Sequence, residues 1–134
     1  MFRILRRALR VLAWVKGGEH GRTIISQRAG YDWLMLDSAT GGVMTELRSG
    51  GRLSTALYSE AVIADGSWHR IGFTWDGSNR RLYVDDILVA EDTDVALAAC
   101  DGGLNIGCGK VMVPGSLFSG MIDDVRIYSR AVKP

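Results

Sequence analysis

Hydrophobic residues occur along the chain in short runs, many of them alternating with polar residues, and glycine, asparagine or aspartate separates most runs from the next. Alternation with a period of two is typical of half-buried β-strands, and closely spaced turn residues are typical of antiparallel sheets. The pattern therefore predicts an all-β sandwich without long helices. The predicted strands are Arg10–Lys16, Arg22–Gln27, Trp33–Asp37, Val43–Arg48, Leu53–Tyr58, Trp68–Trp75, Arg80–Val84, Ile87–Glu91, Gly103–Gly107 and Gly120–Tyr128.

The central strand Trp68–Trp75 indicates which of its faces is buried. Ile71, Phe73 and Trp75 alternate with smaller or polar residues, as a strand with one face on the core requires. His69 falls on the same face, at the start of the strand. We therefore expect it to be a hydrogen-bonded structural imidazole rather than a catalytic one.

The last predicted strand places a carboxylate next to the core. Simple alternation puts Asp123 on the same face as Val125 and Ile127, and puts Ile122 and Asp124 on the other face. An ionised carboxylate in that position needs hydrogen bonds or a cation. Asp123 is therefore a candidate metal ligand, with hydrogen bonds from backbone amides as the alternative.

Length and charge restrict the classes of protein that fit. The 134 residues are 47% hydrophobic and 23% charged, which predicts one folded domain over residues 1–134. Lysine plus arginine, 16 residues, nearly balances aspartate plus glutamate, 15 residues, so we expect no general binding of nucleic acid. No uncharged apolar run approaches the ~18 to 20 residues of a membrane-spanning helix, so we expect no integral membrane segment.

The first dozen residues are basic and fit a helical period better than a strand period. Four arginines lie between Met1 and Leu12, and Arg10 interrupts the apolar core that a signal peptide would need. We interpret residues 1–9 as a basic segment with three alternative roles. It covers an open edge of the core, contacts another copy in an oligomer, or contacts a membrane or polyanion.

The two cysteines lack the spacing of a zinc site or of a disulfide framework. Cys100 and Cys108 lie close together in the sequence, and both a disulfide and two free thiols fit that spacing. We favour two small buried hydrophobic residues.

Several segments in order resemble the laminin G-like domains of the concanavalin A-like lectin and glucanase group. The resemblance begins at Ala13–Lys16 and continues through Ser67–Gly77, which contains a Trp-His strand and an Asp-Gly turn. It then includes the Leu-Tyr-Val-Asp stretch of Arg81–Asp86, the Leu-Asn-Ile-Gly stretch Leu104–Gly107 and the closing segment Phe118–Ala131.

This resemblance implies a jelly-roll sandwich of two antiparallel sheets, shortened at the N-terminus because family members usually carry further strands before the Ala-Trp-Val segment. The family commonly has glycine where this chain has Asp86. We therefore expect Asp86 to adopt a left-handed backbone conformation.

Enzymatic chemistry finds little support in the sequence. Glycoside hydrolysis needs two carboxylates across one cleft, and the glutamate-x-aspartate-x-x-glutamate signature of related glucanases does not occur. The pairs Asp85-Asp86 and Asp123-Asp124 are neighbours in sequence and point to opposite faces of a strand. A glycosidase with an unrecognised acid pair is therefore the least favoured hypothesis.

Calcium is the one ion considered, and we expect no cofactor to be required. The resemblance implies a rim site in which Asp101, just before the Leu104–Gly107 strand, supplies one ligand, but the partner acid expected near residues 48–51 is missing. Asp123 is the alternative ligand, as in related jelly rolls.

Aromatic and polar residues near predicted turns suggest a carbohydrate site. Sugars are bound by aromatic faces flanked by hydrogen-bonding groups. The candidate ligand-binding residues are Tyr31, Asp32, Trp33, Tyr58, Asn79 and Arg80. The alternative for Trp33 is burial between the sheets.

The leading hypothesis is thus a non-catalytic recognition module that binds a carbohydrate or a glycosylated partner through rim loops. The alternative is an assembly protein that forms homo-oligomers through an uncovered edge and its basic N-terminal segment. The sequence leaves the cellular compartment open, because the family is often extracellular and this chain shows no convincing signal peptide.

Overall fold

A computed structural model describes residues 8–28, 30–48, 55–94, 103–111 and 117–128. These residues contain ten strands and no helix. The strands are β1 (Leu9–Lys16), β2 (Thr23–Gln27), β3 (Asp32–Leu36), β4 (Gly42–Thr45), β5 (Leu57–Val62), β6 (Trp68–Trp75), β7 (Asn79–Val84), β8 (Ile87–Thr93), β9 (Leu104–Ile106) and β10 (Met121–Tyr128). No helix in this part of the chain is long and apolar enough to cross a membrane.

Each predicted strand is present, and β4 and β5 differ most from their predicted bounds. β4 ends at Thr45 because the Thr45 hydroxyl accepts a hydrogen bond from the amide of Leu47 at 3.0 Å, which turns the chain before Arg48. β5 continues to Val62 rather than ending at Tyr58.

The strands form two antiparallel five-stranded sheets. Sheet A has the order β10-β1-β6-β7-β8, and sheet B has the order β5-β4-β3-β2-β9. The predicted all-β sandwich of two antiparallel sheets is therefore confirmed. The core lies between the sheets, and its sheet A side comes from alternate residues of β1 and β6. They include Val11, Ala13, Val15, Ile71 and Phe73, each 0% exposed.

The predicted orientation of Asp123 is wrong, because β10 contains a β-bulge. Leu12 pairs with Arg126 and Trp14 pairs with Asp123, so one residue of β1 lies opposite two residues of β10. Asp124 takes up this extra residue with a φ of 49°. Alternation shifts by one position there, so Asp123 is exposed, whereas Ile122, Val125 and Ile127 pack against the core.

The predicted left-handed conformation of Asp86 is confirmed. Asp85 and Asp86 form the turn between β7 and β8 with φ values of 53° and 68°. Two consecutive positive values are those of the two-residue turn that matches the twist of a hairpin. Aspartate tolerates this conformation better than most residues with a side chain.

The chain that follows β9 covers the outer face of sheet B. The Ser26 hydroxyl donates to the carbonyl of Cys108 at 2.8 Å, and the amide of Lys110 donates to Asp32 Oδ1 at 2.9 Å. All five residues of β2 are consequently buried, although a strand with one solvated face would bury only alternate residues. Cys108 is a free, buried thiol, as we favoured, and Cys100 lies outside the described residues.

Candidate ligand-binding groove

Within the part of the chain that the structure describes, the outer face of sheet A is open and carries a groove of about 180 Å³ across β10, β1 and β6. Cross-strand pairing brings Arg126 and Gly72 to either side of Leu12. Leu12 is only 5% exposed and forms the floor, while Gly72 has no side chain to fill the space beside it.

Two aromatic residues lie at opposite ends of the groove. Tyr128 of β10 pairs with Arg10, and Trp14 is four residues further along β1, which corresponds to about 13 Å of extended chain. Trp14 is 38% exposed, so part of its ring is accessible to solvent. The guanidinium of Arg10 lies over the Tyr128 ring, 5.1 Å from its centroid.

The bulge in β10 shapes the wall of the groove. Asp124, at the bulge, accepts a hydrogen bond from Arg126 Nε at 2.9 Å. This carboxylate, and then the Tyr128 hydroxyl, raise the pKa of Arg126, which therefore stays charged. The left-handed backbone at Asp124 sets the position of both charged groups.

Arg70 contributes the β6 side of the groove. It pairs across the sheet with Trp14, and its Nη2 atom lies 3.0 Å from Asp86 Oδ1. The Nε atoms of Arg70 and Arg10 are buried and make no hydrogen bond with the described residues. The two guanidiniums are therefore partly desolvated in the groove without full compensation by the protein.

The residues predicted from the sequence do not form one site. Tyr31 and Asp32 lie together at the start of β3. The Cζ atom of Arg48 and the Nζ atom of Lys110 lie 5.8 and 6.0 Å from the centroid of the Tyr31 ring. Asp32 is buried, and this burial raises its pKa despite the hydrogen bond from the Lys110 amide. Lys110 Nζ also donates to Glu46 Oε1 at 3.1 Å.

Trp33 and Arg80 are enclosed by the protein, at 0% and 1% exposed. Neither can present its side chain to a ligand at the rim in this structure. Arg80 binds both carboxylate oxygens of Asp92, at 2.8 and 2.5 Å, and donates to the Leu47 carbonyl at 3.2 Å. It thereby links sheet A to the chain that follows β4 in sheet B.

Tyr58 and Asn79 lie elsewhere on the surface. Tyr58 is 58% exposed on β5, opposite Met44, and Asn79 begins β7, where its Oδ1 atom accepts a hydrogen bond from the Thr93 hydroxyl at 3.1 Å. These two residues are in different sheets. The six predicted residues thus do not converge on a single cleft.

The described residues include no group of three histidine, cysteine, aspartate or glutamate side chains that could hold a metal ion. Asp123 is exposed and accepts a hydrogen bond from the amide of Asp124 at 2.8 Å. Asp101 lies outside the described residues, so the rim calcium site stays a prediction.

His69 is a hydrogen-bonded imidazole, as expected. Its Nδ1 atom lies 2.6 Å from Asp85 Oδ2, and its Nε2 atom lies 2.9 Å from both Asp65 oxygens. Hydrogen bonds to Asp85 and Asp65 raise its pKa. With both ring nitrogens engaged, the side chain fixes the turn between β7 and β8 to the start of β6.

Sequence analysis missed the groove because its residues are scattered over three strands. One signal was available in β1, where Arg10, Leu12 and Trp14 occupy the alternate positions that face away from the core. Leucine and tryptophan on a solvent face are informative, since a solvated strand usually presents polar residues there.

Comparisons with known proteins agree on the fold. A laminin G-type family model, described as the concanavalin A-like lectin/glucanases superfamily, matches residues 6–134. No curated protein sequence matches the chain.

Similar solved structures include several binding domains. Domain 4 of an extracellular arabinanase from Geobacillus stearothermophilus, in complex with arabinotriose, has a TM-score of 0.69 and 20% identity over 97% of this chain and 65% of that one. A putative carbohydrate binding protein from Bacteroides ovatus has a TM-score of 0.70 and 17% identity over 94% of this chain and 38% of that one.

Domains LG4-5 of the mouse laminin alpha1 chain have a TM-score of 0.71 and 16% identity over 95% of this chain and 38% of that one. The chain therefore spans about two thirds of the arabinanase domain and less than half of the other two. At these identities the likeness shows the fold alone.

Proposed function

Because the chain belongs to the concanavalin A-like lectin/glucanase superfamily, we propose that it is a non-catalytic recognition module that binds a carbohydrate or a glycosylated partner. The ligand occupies the groove on the outer face of sheet A rather than the rim loops. The observation that carries this proposal is the groove itself, which combines an accessible Trp14 face with arginine donors.

The chemistry of the groove suits a sugar. The apolar faces of a sugar ring pack on aromatic side chains, while its hydroxyls need hydrogen-bond donors and acceptors around them. Trp14 and Leu12 supply apolar surface, and Arg70, Arg126 and Asp124 supply donors and acceptors. Two of the similar structures, a putative carbohydrate binding protein and an arabinanase domain in complex with arabinotriose, support the choice of a saccharide as the ligand.

Two exposed tryptophans on the same sheet allow a matched test. Trp14 lies in the groove at 38% exposed, and Trp68 lies outside it at 42% exposed. Titration of a panel of neutral and acidic oligosaccharides by calorimetry should detect a ligand for the wild-type protein. Trp14→Ala should lower its affinity about fivefold or more, since loss of one stacking contact costs ~1–3 kcal/mol.

The Trp68→Ala variant should bind like the wild type. Equal affinity of Trp14→Ala and wild type would show that the ligand does not bind in the groove. The variant Tyr58→Ala would then test whether it binds on sheet B. If neither the wild type nor any variant binds a saccharide, the recognition function itself is wrong.

A second candidate function is self-assembly through the side of the sandwich where β9 and β10 are edge strands. Ile106, Leu117 and Met121 are 59%, 52% and 53% exposed. The amide of Phe118 donates to the carbonyl of Gly107 at 2.8 Å, which brings the chain at Leu117 to the end of β9. An apolar patch at an open edge is typical of an interface.

Light scattering after size-exclusion chromatography tests this second function. A dimeric wild type that becomes monomeric in Met121→Lys would support it. A wild type that is monomeric at high concentration would exclude it.

A further inference from the structure

The charges around the groove determine which saccharides suit it. Three guanidiniums, those of Arg10, Arg70 and Arg126, line the groove together with one carboxylate, that of Asp124. The lining thus has an excess of two positive charges, whereas the whole chain of 134 residues has a net charge of +1. Positive charge is therefore concentrated in the groove relative to the rest of the molecule.

Protein carboxylates neutralise these guanidiniums unequally. Arg126 pairs with Asp124 in the groove, and Arg70 pairs with Asp86 outside it. Arg10 forms no ion pair with any described residue and instead lies over the ring of Tyr128. Since a cation over an aromatic face keeps its full charge, Arg10 remains available to an anion.

Desolvation strengthens the attraction for an anion. The Nε atoms of Arg10 and Arg70 are buried and have no hydrogen-bond partner in the part of the chain that the structure describes. Charges that are partly removed from water interact more strongly with an opposite charge than exposed ones do. Guanidinium groups also match the planar oxygens of carboxylates and the oxygens of sulfate better than an ammonium does.

We infer that the groove binds acidic saccharides, with their carboxylate or sulfate groups facing Arg10 and Arg70 and a sugar ring against Trp14. This inference rests on the proposed function and adds the chemical class of the ligand. The accessible ring of Trp14 favours a saccharide over an isolated anion, because a free anion gains nothing from it.

Calorimetry with matched ligands tests this inference. Trigalacturonic acid is compared with its methyl ester, and a chondroitin sulfate tetrasaccharide is compared with its desulfated form. The acidic member of at least one pair should bind about tenfold more tightly or better, because a hydrogen bond to a charged group contributes ~1.5–3 kcal/mol. The pair that responds distinguishes carboxylate from sulfate.

Variants that remove either a positive or a negative charge from the groove give a second test of its affinity for acidic ligands. Arg10→Gln and Arg70→Gln should each lower the affinity for the acidic ligand about tenfold, while binding of the neutral ligand changes little. Asp124→Asn should raise the affinity for the acidic ligand, since it removes the one negative charge and asparagine accepts the left-handed conformation.

The matched control is Arg81→Gln. Arg81 lies on β7 of the same sheet, outside the groove, and pairs with Asp76 and Glu91. An equal loss of affinity in Arg81→Gln would mean diffuse electrostatic attraction and would overturn the inference. Binding of an octathymidine strand as tight as that of the acidic saccharide would also overturn it.

The two proposals fail in different ways. Tighter binding of the neutral ligands, with Trp14→Ala impaired, would overturn the acidic specificity and leave carbohydrate recognition in place. The absence of binding to acidic and neutral saccharides alike would overturn both.

Discussion

The outer faces of the two sheets differ in what lies over them. On sheet B, the chain after β9 crosses β2 and β3 and is fastened by hydrogen bonds to Ser26 and Asp32. On sheet A, the described residues leave β1 and β6 open around Leu12 and Trp14. The covered face uses its polar residues to hold the fold, whereas on the open face Arg10 forms no ion pair with any described residue.

This difference separates two of the residues that the sequence predicts as ligand-binding from the arginines of the groove. Asp32 and Arg80 are buried and bonded to the protein itself. Arg10, in contrast, lines the groove and forms no ion pair with any described residue. The availability of a polar group, rather than its presence near a loop, separates a candidate binding residue from a structural one.

The largest expected effect is on the covered side, at the buried Arg80 and its partner Asp92, which is 35% exposed. Arg80→Met should destabilise the protein by about 2–4 kcal/mol, because it leaves Asp92 and the Leu47 carbonyl without their donors. Arg81→Met, one residue along the same strand, removes exposed pairs and should cost less than about 1 kcal/mol. Urea unfolding measures both, and equal losses would contradict the structural role given to Arg80.

The hydrogen bonds that hold the chain after β9 against β2 and β3 should give the next largest effect. Asp32→Ala leaves the amide of Lys110 without its acceptor and should cost about 1–3 kcal/mol. Loosening of the segment should also expose Cys108, so in a Cys100→Ser background this thiol should react faster with a disulfide reagent. Asp124→Asn on the open face should leave the labelling rate unchanged. Faster labelling of Cys108 in both variants would contradict the proposed difference between the two faces.

The sequence predicted the sandwich well because the alternation of β1 and β6 and the turn residues between strands are local signals. All ten strands were located, including the short β9. The same local rule failed at β10, where Asp124 adds a residue that only the pairing with β1 reveals. Bulges depend on the partner strand, so alternation within one strand does not show them.

The candidate site could not be predicted in the same way. The groove requires the neighbours of Leu12 on two other strands, and these follow from register rather than from any contiguous motif. Coverage of sheet B depends equally on contacts between residues far apart in the chain, such as Ser26 and Cys108. Patterns along the sequence therefore identified the strands but not which face remained open.

A smaller effect is expected at the turn that supports Arg70 on the open face. Asp86 has a φ of 68°, a conformation that costs an ordinary residue roughly 1–2 kcal/mol and costs glycine almost nothing. Both Asp86→Gly and Asp86→Ala remove the ion pair with Arg70, so the difference between their stabilities measures the cost of the left-handed backbone alone. The glycine variant should be the more stable by about 1 kcal/mol in thermal unfolding. Equal stabilities would show that the turn relaxes out of the left-handed region.

The smallest expected effect is the pH dependence from His69, which fixes the same turn. Its pKa is raised above 6.5 by hydrogen bonds to Asp85 and Asp65, so its stabilisation is present below pH 6.5 and is lost as pH rises through the folded-state pKa. The pKa of Asp65 is lowered from 3.8 by its hydrogen bond with His69. The stabilisation from Asp65 is therefore lost only as the pH falls below 3.8. The melting temperatures of wild type and His69→Gln should therefore differ most between about pH 4 and 6.5 and converge towards pH 8.5. A difference that stayed constant over this range would mean that His69 supports the turn by packing alone.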